Sequence, residues 1–381
     1  MAKTSATMQR SSARLGDRVA TVATPALVID LDAMERNLAA MAEFTRSHGV
    51  RLRPHAKMHK SAAIAKAQIA AGAVGVCVQK LSEAEVLADA GIADIFISNE
   101  VIDVPKLTRV AALAGRIKLA IAVDSVLGVD RLAVACKAAG STPTVFVEID
   151  VGQGRCGVSP ADAGALAQHV VSRGLRFAGL QAYQGGAQHL RGAAEREAAV
   201  RGASTLVREA QTSITSAGIA CPLVTGGGTG TFTFEATSGV FGELQVGSYL
   251  FMDGDYADNE PAEHAPRFEQ ALFVKSQVMS RGASHAVVDA GLKAYAIDSG
   301  LPRVWRRELE MSNYGDEHGI LKPSGGGSAA DLPQLGETVW LVPGHCDPTV
   351  NLHDAYVAVR GGLERGVIEA LWPVDTRGCL I

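Results

Sequence analysis

The chain has 381 residues, 47% of them hydrophobic and 20% charged, with a formal net charge of −4. That length suits one large domain plus a smaller one, and so small a net charge gives no field to draw in nucleic acid or an anionic membrane, so neither partner is expected. The six cysteines (Cys77, Cys136, Cys156, Cys221, Cys346, Cys379) are scattered without a Cys-x-x-Cys pair, which reads as a reduced, cytoplasmic protein, and no run approaches the ~18 apolar residues of a membrane span.

In chain order, residues 1–20 carry serine and arginine but no apolar stretch, which reads as a flexible tail rather than a secretory signal. Ala26 to Leu31 reads as a strand, and Asp32 then caps a helix with Met34, Leu38, Met41 and Phe44 at helical spacing. From there strand-like and helical segments alternate, the pattern of a parallel sheet covered by helices. Eight candidate strands fall near 51–54, 74–78, 94–98, 118–124, 144–150, 176–182, 221–225 and 243–247, with Ala-rich amphipathic segments such as Ser61 to Ala70, Ser82 to Ala90 and Pro160 to Ser172 between them. Eight is the number that closes a (β/α)8 barrel. A barrel domain over 21–255, including the lead-in strand and helix, is expected, with a doubly wound open sheet as the alternative. After Asp255 the helical pattern fades. Runs at Gln270 to Met279, Ala286 to Val288, Thr338 to Val342, Tyr356 to Val359 and Val367 to Leu371 predict an all-β domain over 256–381, with Ser324 to Ser328 as a surface loop.

In such a barrel the chemistry sits where the strands end. Strand one runs into His55, Lys57 and His59, and strand two into Gln79. Strand five is followed by Arg155, strand six by Tyr183, strand seven by Thr225, Gly226, Gly227, Gly228, Thr229 and Gly230, and strand eight by Gln245, Gly247, Ser248 and Tyr249. The glycine run lets backbone N–H groups wrap an anion, and Thr229 adds a hydroxyl. A surface lysine and an unliganded turn are the plain alternatives for Lys57 and for this loop taken singly. Together, a lysine facing a phosphate cradle points to pyridoxal phosphate held on Lys57 as a Schiff base, with Arg155 toward the ring's phenolic oxygen and Tyr183 against the ring. In the second domain, His345 and Asp347 project to one side of an extended segment. An imidazole and a carboxylate suit a divalent cation, manganese or magnesium ahead of zinc, although a structural His–Asp pair is the alternative. His353-Asp354 reads as a hydrogen-bonding pair, and Asp316-Glu317-His318-Gly319 as a polar cluster without an assigned role.

Arg53-Pro54-His55-Ala56-Lys57, Gly152-Gln153-Gly154-Arg155-Cys156-Gly157, Gln181-Ala182-Tyr183, the Thr225–Gly230 loop and His345-Cys346-Asp347 are together similar to the D-threonine aldolase family, among the fold type III pyridoxal phosphate enzymes typified by alanine racemase. The resemblance spans Thr24-Pro25 to Trp372-Pro373. It implies a homodimer with Lys57 carrying the cofactor and His345 and Asp347 holding the metal. It places Gln245, a neutral group, at the cofactor's ring nitrogen. The implied reaction is retro-aldol cleavage of a D-3-hydroxy amino acid, of D-threonine type, to glycine and an aldehyde. His59 or a water on the metal are the candidates for taking the hydroxyl proton. Alternatives are a 3-hydroxy-D-aspartate aldolase giving glyoxylate, a D-3-hydroxy amino acid dehydratase and an amino acid racemase. Asp347 favours the aldolase, since related dehydratases resemble His-x-Cys at this point.

Overall fold

The computed structural model describes residues 13–325 and 327–381. The first strand, β1 (Ala26–Asp30), ends at Asp30, whose carboxylate accepts the N–H groups of Asp32 and Ala33 at 3.1 and 3.3 Å and so caps the helix Leu31–Ser47. The cap is therefore Asp30 rather than Asp32: a helix N-cap side chain must reach N–H groups two or three residues ahead.

Eight strands follow with helices between them: β2 (Arg51–Leu52), β3 (Val76–Val78), β4 (Asp94–Ile97), β5 (Lys118–Val123), β6 (Thr144–Glu148), β7 (Arg176–Ala182), β8 (Val224–Gly226) and β9 (Glu243–Leu244). All pair in parallel, in the order β2-β9-β8-β7-β6-β5-β4-β3. The ring closes between β2 and β3 through a parallel bridge of His55 with Cys77, where Ala56 N–H donates to Cys77 O at 2.8 Å and Cys77 N–H to Pro54 O at 2.9 Å. The eight-stranded barrel expected from the alternation is thus present, and the open sheet is not. Successive side chains point to opposite faces of a strand. Cys77, Phe96, Ala120, Ala122 and Phe146 fill the barrel interior, while their neighbours Val76, Val78, Ile95, Ile97, Leu119, Ile121, Val145 and Val147 pack against the outer helices. The expected helices appear as Ala62–Ala70, Leu81–Asp89 and Ala163–Ser172.

The second sheet has nine strands. Besides β1 it contains β10 (Leu272–Arg281), β11 (Ala286–Val288), β12 (Arg303–Val304), β13 (Leu309–Tyr314), β14 (Gly319–Pro323), β15 (Thr338–Val342), β16 (Ala355–Arg360) and β17 (Val367–Pro373). Here the structure corrects the expectation for β1, which does not belong to the barrel unit. It lies between β10 (antiparallel, Ile29 opposite Leu272) and β16 (parallel, Val28 opposite Val357). Leu27, Val28 and Ile29 are buried on both faces, as a central strand requires. Strands β12, β13 and β14 are not among the expected runs: β12 has only two residues, and β13 and β14 bury only Leu309 and Met311, and Gly319 and Leu321. Asp316-Glu317-His318-Gly319 closes the β13–β14 hairpin, with Gly315 N–H donating to His318 O at 2.8 Å and Lys293 paired to Glu317.

Of the expected tail, residues 1–12 lie outside the described residues, as does Gly326 of the 324–328 loop. Residues 13–20 are folded: Gly16 and Val19 donate to Ile368 O and Gly366 O, each at 2.9 Å, and Val19 is buried beside Val357 and Ile368. One apolar cluster crosses from sheet to barrel, taking Leu27 and Ile29 from β1, Tyr356 and Cys346 from the second unit, and Met58, Leu244, Tyr249 and Phe251 from the barrel's rim.

Gly179 in β7 shows how tightly the barrel is closed. Its φ is +140°, and a Cβ there would stand 1.8 Å from Leu223 O. Gly179→Ala is expected to cost about 3 kcal/mol or more, read as a lowered urea midpoint; an unchanged midpoint would contradict this packing.

Candidate active site

A cavity of about 200 Å³ opens at the strand ends. His55, Lys57, Gln79, Ser98, Arg155, Gln181, Tyr183, His189, Gly228, Thr229, Gln245, Gly247, Ser248, Tyr256, His345 and Asp347 line it. Lys57 is 44% accessible because it stands in this cavity, with its ammonium 3.7 Å from Asp347 Oδ1. Burial pulls the ammonium's pKa down, but the Asp347 carboxylate and Tyr183 outweigh it, and the net shift is upward. The barrel's last loop is stitched to the segment carrying the metal candidates. Gly254 N–H donates to Pro343 O at 2.9 Å and Asp255 N–H to Gly344 O at 3.1 Å, and Asp253 accepts Cys346 N–H at 3.0 Å.

His345 and Asp347 do converge, with Nε2 3.7 Å from Oδ2. His345 Nδ1 bonds to Asp298 Oδ2 at 2.6 Å, which holds the ring so that Nε2 faces the cavity, the arrangement a metal-binding histidine requires. Asp298 sits in an irregular loop and carried no sequence signal. Glu100, Asp124 and Cys156 form another group whose donor atoms lie within 4.8 Å of one another, on the loops beside Arg155.

Of the residues proposed for the cofactor, Lys57, Gln79, Arg155, Tyr183, Gly228, Thr229, Gln245, Gly247 and Ser248 line the cavity. Gln245 is held from below, sharing hydrogen bonds with Gln181 and donating to Thr225 at 2.8 Å, and Thr225 in turn donates to Glu243 at 3.0 Å. Thr225 is therefore a support beneath the floor. Gly226, Gly227 and Gly230 shape the loop without lining the cavity, and Tyr249 is fully buried, its hydroxyl accepting from Gln68.

His59 lies away from the cavity and is fully buried. Its Nδ1 accepts Ser61 N–H at 3.1 Å, its Nε2 meets Gln68 Oε1 at 3.1 Å, and burial lowers its pKa to about 4. Both nitrogens are occupied, so the expectation that His59 takes a proton in the reaction is corrected. His189 instead faces the cavity, with Nδ1 bonded to Asp255 Oδ2 at 2.6 Å and Nε2 left for a ligand. It lies six residues past Tyr183, beyond the stretch adjoining the strand end.

The donor set fits pyridoxal phosphate. Among the described residues, no protein acceptor meets the N–H groups of Gly228, Thr229, Gly247 or Ser248, and Thr229 Oγ1 accepts Tyr249 N–H at 3.0 Å, leaving its own proton to donate. Arg155 stands 5.6 Å from the centre of the Tyr183 ring and 3.8 Å from Glu148.

Residues 29–255 match the family described as alanine racemase, N-terminal domain, and residues 271–359 match a putative serine dehydratase domain. A D-threonine aldolase of Arthrobacter sp. is 46% identical over 96% of this chain and 96% of its own length. The chain belongs to the D-threonine aldolase family. A 3-hydroxy-D-aspartate aldolase of Paracoccus denitrificans is 42% identical over 94% of this chain and 92% of its own. The crystal structure of a D-threonine aldolase from Filomicrobium marinum superposes with a TM-score of 0.94 at 49% identity, covering 97% of this chain and all of that one.

Asp298→Asn would leave the His345 ring without its anionic partner. Manganese affinity measured by calorimetry is expected to fall by about 10-fold or more, and an unchanged affinity would remove Asp298 from the account.

Proposed function

We propose that this chain is a pyridoxal phosphate- and divalent metal-dependent lyase that cleaves a D-3-hydroxy amino acid of D-threonine type to glycine and an aldehyde. The observation that carries the reading is the meeting of Lys57 with the His345–Asp347 pair in one cavity, facing backbone donors left without protein acceptors.

The cofactor on Lys57 supplies an electron sink for the Cα–Cβ bond, and a cation on His345 and Asp347 supplies a Lewis acid for the β-hydroxyl. The chain's own residues do the rest. Gly228, Thr229, Gly247 and Ser248 bind the phosphate, and Arg155 and Tyr183 flank the ring. Gln245 presents an uncharged amide where the ring nitrogen would lie, both of its N–H groups being spent on Gln181 and Thr225. His189 takes that proton at Nε2, because Asp255 holds Nδ1 as the donor side and stabilises the imidazolium that results. That Lys57 faces His345 and Asp347, a pair suited to a cation that racemisation does not need, favours the lyase over a racemase.

A homodimer is part of the proposal, supported by the apolar side chains Ile102, Val104, Val126 and Leu127, all more than a third exposed at the barrel's strand-end face; light scattering that shows a monomer would count against it. A cytoplasmic setting is supported by the six free cysteines. Among the described residues no helix is long and apolar enough to cross a membrane.

Incubation with D-threonine, D-3-hydroxyaspartate and D-serine, with and without manganese, separates the readings. Glycine plus acetaldehyde from D-threonine, abolished by chelator, is expected, while an oxo acid with ammonia would make the protein a dehydratase. Lys57→Ala should lose the visible absorbance of the loaded protein, and a variant that keeps it would overturn the lysine's role. His189→Gln should lower kcat by about 10²- to 10⁴-fold with cofactor absorbance intact; full activity would return the proton to another acceptor.

A further inference from the structure

Behind the glycine loop lies a buried polar chain that the reaction does not use. Gly230 N–H donates to Gln188 Oε1 at 2.9 Å, Gln188 Nε2 donates to Thr231 Oγ1 at 2.7 Å, and Thr231 lies 2.7 Å from Glu235 Oε1. The direction of each bond is fixed by the first. Gln188 has spent its carbonyl on Gly230, so only its amide can meet Thr231, and the threonine proton must then go to Glu235. Gln188 and Thr231 are fully buried and Glu235 is 2% exposed, with Glu235 Oε2 left without a partner. Burial pushes the Glu235 carboxyl up to about 7, against the lowering pull of the Thr231 bond.

The chain also sets the shape of the loop. A Cβ at Gly228 would stand 2.4 Å from Gln188 Oε1, and one at Gly230 2.5 Å from Gln188 O, so the loop rests directly on Gln188. At Gly227, with φ +76°, a Cβ would come within 3.2 Å of the Glu235 carboxyl carbon. The loop thus bears on both ends of the chain, and the side chains that fix its height are Gln188 and Glu235. Gln188 adjoins His189, so the same turn carries the loop's rest and a cavity-facing imidazole.

We propose that the Gln188–Thr231–Glu235 relay is the positioning device of the phosphate loop, with Glu235 as its terminal acceptor, so that the N–H groups of Gly228 and Thr229 are presented to the phosphate of the cofactor. The proposal rests on the pyridoxal phosphate reading above. Breaking the relay leaves the Thr231 hydroxyl, or one of the two Gln188 amide N–H groups (the other bonds Gln184 O at 3.2 Å), buried without a partner, and the loop relaxes toward whichever acceptor it can find.

The test compares pyridoxal phosphate with pyridoxal, which has the same aldehyde and ring but no phosphate, each added to full-length protein stripped of cofactor and followed by visible absorbance. Glu235→Leu removes the terminal acceptor, and Thr231→Val breaks the middle with little change of shape. Each is expected to weaken pyridoxal phosphate binding by about 10-fold, the scale of one buried hydrogen bond lost, while pyridoxal binding stays within about 2-fold. Glu235→Gln keeps a carbonyl acceptor and should restore most of the affinity. The double variant Thr231→Val/Glu235→Leu should lose no more than either single one, since the relay can be broken only once. Equal losses for pyridoxal phosphate and pyridoxal, or no loss for either, would overturn the relay's role. Wild-type protein that takes up neither compound at Lys57 would overturn the cofactor reading itself, an outcome read before any variant is made.

Discussion

The site depends on one apolar contact, the cluster in which the second sheet and the barrel rim share a core. Leu27 and Ile29 of β1, Tyr356 of β16 and Cys346 meet Met58, Tyr249 and Phe251 there, all nearly or fully buried. Met58 is the residue after Lys57, and Cys346 lies between His345 and Asp347. The same contact that excludes water therefore sets the 3.7 Å separation of Lys57 from Asp347. Polar groups fix its register: Tyr356 donates its hydroxyl to His59 O at 2.6 Å, and Asp253 accepts the N–H groups of Tyr256 and Cys346 at 3.0 Å each. His59 thus serves the site through its backbone carbonyl, as a docking point for the second unit.

Around this contact the charges are arranged so that each reactive group has an orienting partner one step back. Asp298 stands behind His345, Asp255 behind His189, and the amides of Gln181 and Gln245 behind the ring's expected position. His55 completes the floor. Burial, then the nearby Lys57 ammonium, hold its pKa well below the ordinary value, so it is a neutral ring that meets Gln79 at 2.9 Å. The cavity combines one lysine, one arginine and a carboxylate–imidazole pair with neutral amides, a composition suited to holding a zwitterionic substrate and a phosphorylated aldehyde together.

Much of this was legible in the sequence, for physical reasons. The barrel strands announce themselves because both faces are buried and the flanking helices repeat at regular spacing. Lys57, the glycine loop and the His345–Asp347 pair stand out because such residues at strand ends are poor core material. What was not legible depends on where the chain goes after the pattern ends. The apolar run of β1 identifies a strand but not its sheet, so its place between β10 and β16 could not be read. His59 is two residues from Lys57 yet turns inward, because the loop folds back so that Lys60 N–H bonds Ala56 O at 2.7 Å. His189 ends a single short 3-10 turn and Asp298 sits in a loop, where neither period 2 nor period 3.6 applies, and only the three-dimensional fold brings His189 to the cavity and Asp298 to His345.

On this reading, chemistry held on a barrel lysine is completed by a cation held on the second unit. Diffraction from crystals soaked with pyridoxal phosphate and manganese, collected at the manganese absorption edge, tests it most directly. Continuous density from Lys57 Nζ to the cofactor is expected, with an anomalous peak between His345 Nε2 and the Asp347 carboxylate. An anomalous peak confined to Glu100, Asp124 and Cys156, or cofactor density joined to another lysine, would contradict it.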